Sequence, residues 1–302
     1  MQSEVDYAPI VLFCYNRPDH LAKTIAALRA NSLAPQSRLF IFSDGSRNAD
    51  DADKVKAVRA LVDQVDGFRE ITIYKSPVNK GLAQSVIDGV SAIIDRHGKV
   101  IVLEDDIVTT PDFLQCLNDL LLTYKNRPDI FSVSGFAPPI ELPTHFKQDF
   151  YLAPRTSSWG WATWADRWKL ADWGSTFYLQ MLVDPELRKR FISGGNDLYP
   201  MIVKQQRGLI DSWAVRWCLS QAVHEACSVY PVKSKLVNIG TDGSGANFTF
   251  HTHAYDVSLN PEPLRIDPLL APDDAVIRAF RKFYDLPFYL KLKNFFRYGI
   301  WV

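Results

Sequence analysis

Short apolar runs recur along the first third of the chain, each followed by a polar cluster and then by residues with helical spacing. Ile10-Val11-Leu12-Phe13, Leu39 to Phe42, Ile71 to Tyr74 and Val100 to Glu104 read as strands. Leu21, Ile25 and Leu28 share one face of a helix over 20–30, and Val55, Val58, Leu61 and Val62 share one face over 52–65. Further helices are expected from Leu82 to Arg96 and from Pro111 to Lys125. Four strand–loop–helix units within the first 125 residues predict a parallel sheet with crossover helices. The polar clusters all follow strands, so Tyr15, Asn16, Arg17, Asp44, Lys80 and the acids Glu104, Asp105 and Asp106 fall along one rim of the sheet. That rim, at the carboxyl ends of the strands, is where open α/β sheets bind ligands.

After Arg127 the alternation breaks down. Ile130 to Ser134, Phe150 to Ala153 and Val229 to Val232 read as strands, and a helix is expected from Leu209 to Glu225. Trp159, Trp161, Trp164, Trp168 and Trp173 place five of the eight tryptophans within fifteen residues. Trp164 and Trp168 would share one helical face. Core packing accounts for most of such a group. An aromatic platform for a sugar is the alternative, for which Trp159 and Trp161, beside glycine and polar residues, are the candidates. Asn238 to Asn247 is a glycine-rich polar loop able to approach a ligand closely, and Asp242 within it is a third acceptor-side candidate.

Three acids in a row sharpen the picture at one point. Along an extended strand Glu104 and Asp106 share a face and Asp105 points away. Two carboxylates on one face repel unless a cation lies between them, and hard oxygen ligands suit Mg²⁺ or Mn²⁺. A solvated acidic turn before a helix, with Thr110 as N-cap and Pro111 at the first helical position, is the plainer alternative. Asp211 likewise has two readings, as the N-cap of the helix that follows it and as a general base toward an attacking hydroxyl. His251 and His253 would share a face of an extended segment and so form a metal pair, although they lack acidic neighbours.

Composition narrows the classes. The 302 residues carry 34 Lys plus Arg against 34 Asp plus Glu, so net neutrality argues against nucleic-acid binding driven by phosphate neutralisation. The four scattered cysteines, with no CxxC pair, read as structural thiols of a reducing compartment and not as a zinc site. The N-terminal residues lack the apolar core of a signal peptide, and no apolar run approaches the roughly 20 residues that span a bilayer. A cytoplasmic protein, or one peripheral on the inner face of the cell membrane, is expected. Neither GxGxxG nor GxxxxGK[ST] occurs, which removes dinucleotide oxidoreductases and P-loop NTPases. From Phe280 to Val302 runs a basic, aromatic tail that fits an interfacial helix, an oligomer contact or packing onto the main domain.

Phe13-Cys14-Tyr15-Asn16-Arg17-Pro18, Ser43-Asp44-Gly45-Ser46, Asn79-Lys80-Gly81-Leu82 and Leu103-Glu104-Asp105-Asp106, in that order, resemble the nucleotide-sugar half of GT-A glycosyltransferases. The flavour is that of bacterial family-2-like sugar transferases and of N-acetylglucosaminyltransferase I. The Trp159-to-Trp164 stretch resembles their acceptor-side segment. The resemblance implies an α/β GT-A fold with a nucleotide-sugar half at 1–126, an acceptor and catalytic half at 127–265 and a tail at 266–302. It implies Asp106 as ligand of Mn²⁺ or Mg²⁺ and Glu104 near the nucleoside. It also implies Asp44 and residues 15–17 at base and ribose, Lys80 near the nucleotide and Asp211 as the base of an inverting transfer. The implied reaction moves a sugar, from a UDP-sugar by preference, to a saccharide or lipid-linked acceptor in surface polysaccharide synthesis. Where related loops carry Gly-Ser-Gly-x-His, this chain has Asn247, which leaves the metal to Asp106, phosphates and water. A sugar-nucleotide nucleotidyltransferase and a non-catalytic carbohydrate-binding module on the same fold are the competing expectations.

Overall fold

The apolar runs form the centre of an eight-stranded sheet. Strands β1 (Ile10–Cys14), β2 (Arg38–Ser43), β3 (Glu70–Lys75) and β4 (Lys99–Glu104) pair in parallel in the order β3-β2-β1-β4. The structure, a computed structural model, describes residues 6–243 and 252–301. Every residue of β1 is buried because both faces of the sheet are covered. Ile10, Leu12 and Cys14 pack on one side with α1 (Pro18–Arg29), α2 (Ala49–Val62) and α4 (Phe113–Thr123). Val11 and Phe13 pack on the other with α3 (Leu82–His97). Pro18 opens α1, Asn48 caps α2 by accepting from the Asp51 N–H at 3.0 Å, and Gly98 closes α3 in the left-handed conformation.

The chain walks outward from β1 to β2 to β3 and then returns to place β4 on the other flank of β1. The loops after β1 and β4 therefore diverge from adjacent strands. Such a switch point leaves a crevice at the carboxyl ends of the strands, and this one lies between residues 15–17 and 104–106.

Beyond position 127 the sheet continues with β6 (Ile130–Ser134), β7 (Phe150–Ala153), β8 (Trp161–Trp164) and β9 (Cys227–Pro231) in the order β4-β8-β6-β9-β7. Strand β8 inserts antiparallel between β4 and β6, with Ala162 opposite both Ile101 and Val133. The sheet is therefore mixed beyond β4, and β8 takes in Trp164, one of the two tryptophans expected to share a helical face. Trp164 ends that strand and donates from Nε1 to the Leu121 carbonyl at 3.1 Å, while Trp168 belongs to α5 (Ala165–Trp168) and packs on the opposite side of the sheet. The two do not share a helical face.

A second correction concerns the acids. Strand β5 (Ile107–Thr109) follows β4 at once and pairs with β10 (Leu236–Asn238), so α4 begins at Phe113 and Thr110 does not cap it. Lys235, fully buried, donates to Asp112 Oδ2 at 2.6 Å and to the carbonyls of Asn260 and Glu262 at 3.0 and 2.6 Å. This staple holds β10 over the start of α4 and brings Gly240 above the crevice. The remaining helices are α6 (Thr176–Val183), α7 (Pro185–Ile192), α8 (Leu198–Gln206), α9 (Trp213–Val223), α10 (Asp274–Tyr284) and α11 (Phe288–Tyr298). Among the described residues no helix is long and apolar enough to cross a membrane.

Candidate active site

A cavity of about 330 Å³ opens at the switch point. Tyr15, Asn16, Arg17, Asp44, Glu104, Asp105, Asp106 and Trp159, all singled out in the sequence, line it together with Phe42, Asp51, Asn79, Gly81, Asn238 and Gly240.

At its floor the three acids meet Arg17. The strand ends at Glu104 and residues 105–106 turn, so strict alternation stops and Asp105 does not point away. The Arg17 guanidinium donates from Nη2 to Asp106 Oδ2 at 2.8 Å and also to Asp105 Oδ1. Asp105 further accepts the Tyr15 N–H at 3.3 Å, and its carbonyl accepts from Thr24 Oγ1 at 2.8 Å. Burial opposes charge on Arg17, but Asp105 and Asp106 outweigh it and hold its pKa above the ordinary value. Burial, with Asp106 and Asp105 close by, pushes Glu104 up to about 8, and burial also raises Asp105. Arg17 is the cation that offsets the Asp105 and Asp106 carboxylates here.

One oxygen is left over. Asp106 Oδ1 is buried and has no hydrogen-bond partner among the described residues, an arrangement that costs free energy unless a ligand completes it. The backbone above it is close. A Cβ on Gly240 would lie 2.1 Å from Asp106 Oδ2 and 2.7 Å from Arg17 Nη1, so any side chain there would displace the Arg17–Asp106 pair. No group of three His, Cys, Asp or Glu able to hold a metal occurs among the described residues. Divalent cations at phosphate sites use one or two carboxylates and complete their shell with phosphate and water. Asp106, with its free oxygen, and the neighbouring Glu104 fit that donor set.

The side wall is a relay of polar contacts. Tyr15 donates from its hydroxyl to Asp51 Oδ2 and Asn16 from its amide to Asp51 Oδ1, both at 2.7 Å, and these bonds lower the Asp51 pKa. Asp51, in the first turn of α2, was invisible in the sequence except as an acid at a helix start. Phe42 stacks between Phe13 and Tyr74, with ring centroids 5.4 and 4.6 Å apart. Asp44 is a clamp: its carboxylate accepts the N–H groups of Gly45, Lys80 and Gly81 at 2.8 to 3.1 Å, tying the end of β2 to the turn before α3.

Other candidates stand apart. The Lys80 ammonium reaches Asp88 at 3.2 Å outside the cavity, and it is the Lys80 backbone that meets Asp44. Ser212, not Asp211, caps α9, accepting from the Val215 N–H at 3.4 Å. Asp211 is exposed at the cavity rim, its Oδ2 3.3 Å from where a Cβ on Gly81 would lie, with Arg216 3.8 Å from its other oxygen. Trp159 is half-buried against Phe136 and Tyr255, at 4.7 and 5.1 Å, and reaches the cavity. Trp161 is wholly buried between Trp213 and Trp168, at 4.9 and 5.6 Å, so protein covers its indole and it offers no platform to a sugar. Asp242 lies 3.1 Å from His20 Nε2 on α1. His253 pairs with Asp256 on the surface, whereas His251 and residues 244–247 of the glycine-rich loop lie outside the described residues.

A largely parallel sheet with a carboxylate-lined cavity at its switch point defines an α/β protein whose ligand site lies at the carboxyl ends of its strands. The family glycosyl transferase family 2 matches residues 10–165, from the first residue of β1 to the first of α5, and the chain belongs to that family. The GT-A-type α/β architecture expected from the sequence is the one observed. No curated protein matches the chain. Solved structures similar to it include the Pyrobaculum calidifontis mannosyltransferase PcManGT in complex with GDP-Man and Mn²⁺, at 13% identity and TM-score 0.36, covering 55% of this chain and 49% of that one. S. aureus TarS follows at 8% identity and TM-score 0.34, covering 50% and 25%, and an active-site mutant of LgtC at 13% and 0.37, covering 73% and 72%. The chain thus spans half or less of the length of the first two.

Proposed function

We propose that this chain transfers a sugar from a nucleoside diphosphate sugar, UDP-linked by preference, to an acceptor hydroxyl with inversion at the anomeric carbon. The acceptor is a saccharide or a lipid-linked saccharide of surface polysaccharide synthesis. The observation that carries the reading is the unpartnered Asp106 oxygen at the floor of a cavity walled by the β1 and β4 loops. Family membership supports it.

In this reading the nucleoside lies along Tyr15, Asn16, Asp44 and the Phe42 ring, with the diphosphate toward Arg17 and Asp106. Asp211 accepts the proton of the acceptor hydroxyl at the rim. The acceptor oxygen forms its bond to the anomeric carbon as the bond from that carbon to the phosphate oxygen breaks, and the nucleoside diphosphate leaves with the electron pair. Asp106, with Glu104 beside it, would hold Mn²⁺ or Mg²⁺, which when bound would supply positive charge for the leaving diphosphate. Arg17 adds a fixed cation at the same place, and Trp159 offers an indole edge toward the acceptor.

Thermal unfolding measured with UDP, GDP, ADP and CDP, each with and without Mn²⁺, tests this. Selective stabilisation by one nucleotide that requires the metal, and its loss in Asp106→Asn, is the expected result. Stabilisation by none of them, or the same stabilisation in Asp106→Asn, overturns it.

A further inference from the structure

The C-terminal helix presents a surface that the donor cavity does not use. One face of α11 is anchored. Lys204 on α8 donates to Asn294 Oδ1 at 2.8 Å, Arg207 donates to the Tyr298 carbonyl at 2.6 Å, and Ile300 enters the core beside Met181, Phe191 and Ile202. The opposite face is open. Phe288, Tyr289 and Phe296 are 66, 67 and 80% exposed. Trp301 packs edge-on against Phe288 and Phe295, with centroids 6.5 and 5.9 Å apart, so the rings form one ridge instead of isolated exposed side chains. Contiguous exposed apolar surface of this kind marks an interaction site.

The charges select the partner. Residues 286–301 contain Lys291, Lys293 and Arg297 and not one carboxylate, although the whole chain is neutral. Lys204 and Arg207 add two cations beneath the same helix. Aromatic rings at the acyl boundary with Lys and Arg at headgroup level is the pattern of a helix lying in a membrane interface. Cations held at headgroup level are attracted by an anionic leaflet. A second copy of the chain fits less well, because a two-fold contact between α11 helices would set Lys293 and Arg297 against their own kind.

We infer that the aromatic face of α11 docks on an anionic lipid bilayer. The inference is independent of glycosyl transfer, but it has a consequence for it. Arg207, which holds Tyr298, precedes Asp211 by four residues, and Gln205 accepts the Ser212 N–H at 2.6 Å. Docking therefore ties the bilayer surface to the loop that carries the candidate base, the geometry suited to an acceptor presented at a membrane.

Sedimentation of the full chain with phosphatidylcholine vesicles, with and without added phosphatidylglycerol, provides the test. Wild type should partition onto the phosphatidylglycerol vesicles, release as salt is raised, and stay free of pure phosphatidylcholine. Phe288→Glu/Phe296→Glu, at exposed positions, should weaken partitioning by at least about tenfold, since it removes two aromatic rings that docking would bury and adds two charges of the leaflet's own sign facing it. Its unfolding temperature should match wild type, which separates lost docking from lost folding. Wild type free of anionic vesicles, or the double variant binding as tightly, overturns the inference. So does a wild-type dimer that ignores vesicles and that the variant splits into monomers, which would assign the ridge to a second copy. Vesicle binding without any nucleotide-dependent stabilisation would instead remove the transferase reading and leave this one standing.

Discussion

The rim of the β1–β4 sheet and the tryptophan block around β8 are both built from residues that invite a chemical reading, yet they end in opposite places. The acids and Arg17 surround a cavity, whereas Trp161, Trp168, Trp213 and Trp217 stack on one another beneath the sheet as core. The difference is one of position relative to strand ends. Residues 15–17 and 104–106 leave adjacent strands at a switch point, where no element can fill the gap between them. Trp161 lies inside β8, which is buried in every residue between β4 and β6. Only Trp159 escapes, because it precedes that strand and Gly160, at φ +51°, turns the chain between them. The identity of a side chain set what each region could do, and whether neighbouring elements cover it set whether a ligand could reach it.

That contrast breaks most sharply at the rim. Asp211→Asn should lower transfer by about 10²–10⁴-fold, the usual scale for a general base, while metal-dependent nucleotide binding stays as in wild type. Equal turnover in single-turnover assays would return Asp211 to a surface role beside Arg216. In the block the loss should appear as stability. Trp161→Ala should cost about 3–5 kcal/mol in denaturant unfolding, since the stacked indoles cannot close around the void. Trp159→Ala should cost clearly less stability and raise the KM for acceptor, not for donor. Were the two variants to lose stability equally, the distinction between platform and core would be gone. Gly240→Ala should have the smallest effect on folding, its φ lying outside the positive range. Its Cβ would nevertheless push on the Arg17–Asp106 pair, so nucleotide affinity measured calorimetrically with Mn²⁺ should fall by about tenfold. Unchanged affinity would show that the loop above Asp106 yields freely.

Much of the sheet built by the first 125 residues was legible because its signals are local. A strand buried on both faces must be apolar throughout, and a helix lying on the sheet shows an apolar stripe at helical spacing, so β1 to β4 and the helices between them were placed within a few residues. Hence Tyr15, Asn16, Arg17, Asp44 and the three acids could be assigned to one rim. Their partners could not. Asp51 serves Tyr15 and Asn16 across 36 and 35 residues, and Gly240 closes over Asp106 from far along the chain. Asp44 is spent on backbone N–H groups and the Lys80 side chain turns to Asp88. Strands β5, β8 and β10 escaped notice for the same reason, because partners far along the chain make them strands: β5 pairs with β10, and β8 inserts between β4 and β6.

Taken alone, the sequence determined which residues could carry charge, where the parallel strands run and that their carboxyl ends gather acids beside Arg17. Those properties follow from periods of 2 and 3.6 along the backbone, which neighbours in the chain enforce. Tertiary structure decided that Arg17 stands between Asp105 and Asp106, that one Asp106 oxygen is left without a partner among the described residues, and that Trp161 is sealed away while Trp159 is not. Each of those depends on which strand lies beside which. Strand order is settled by the burial of whole faces and not by any local run of residues.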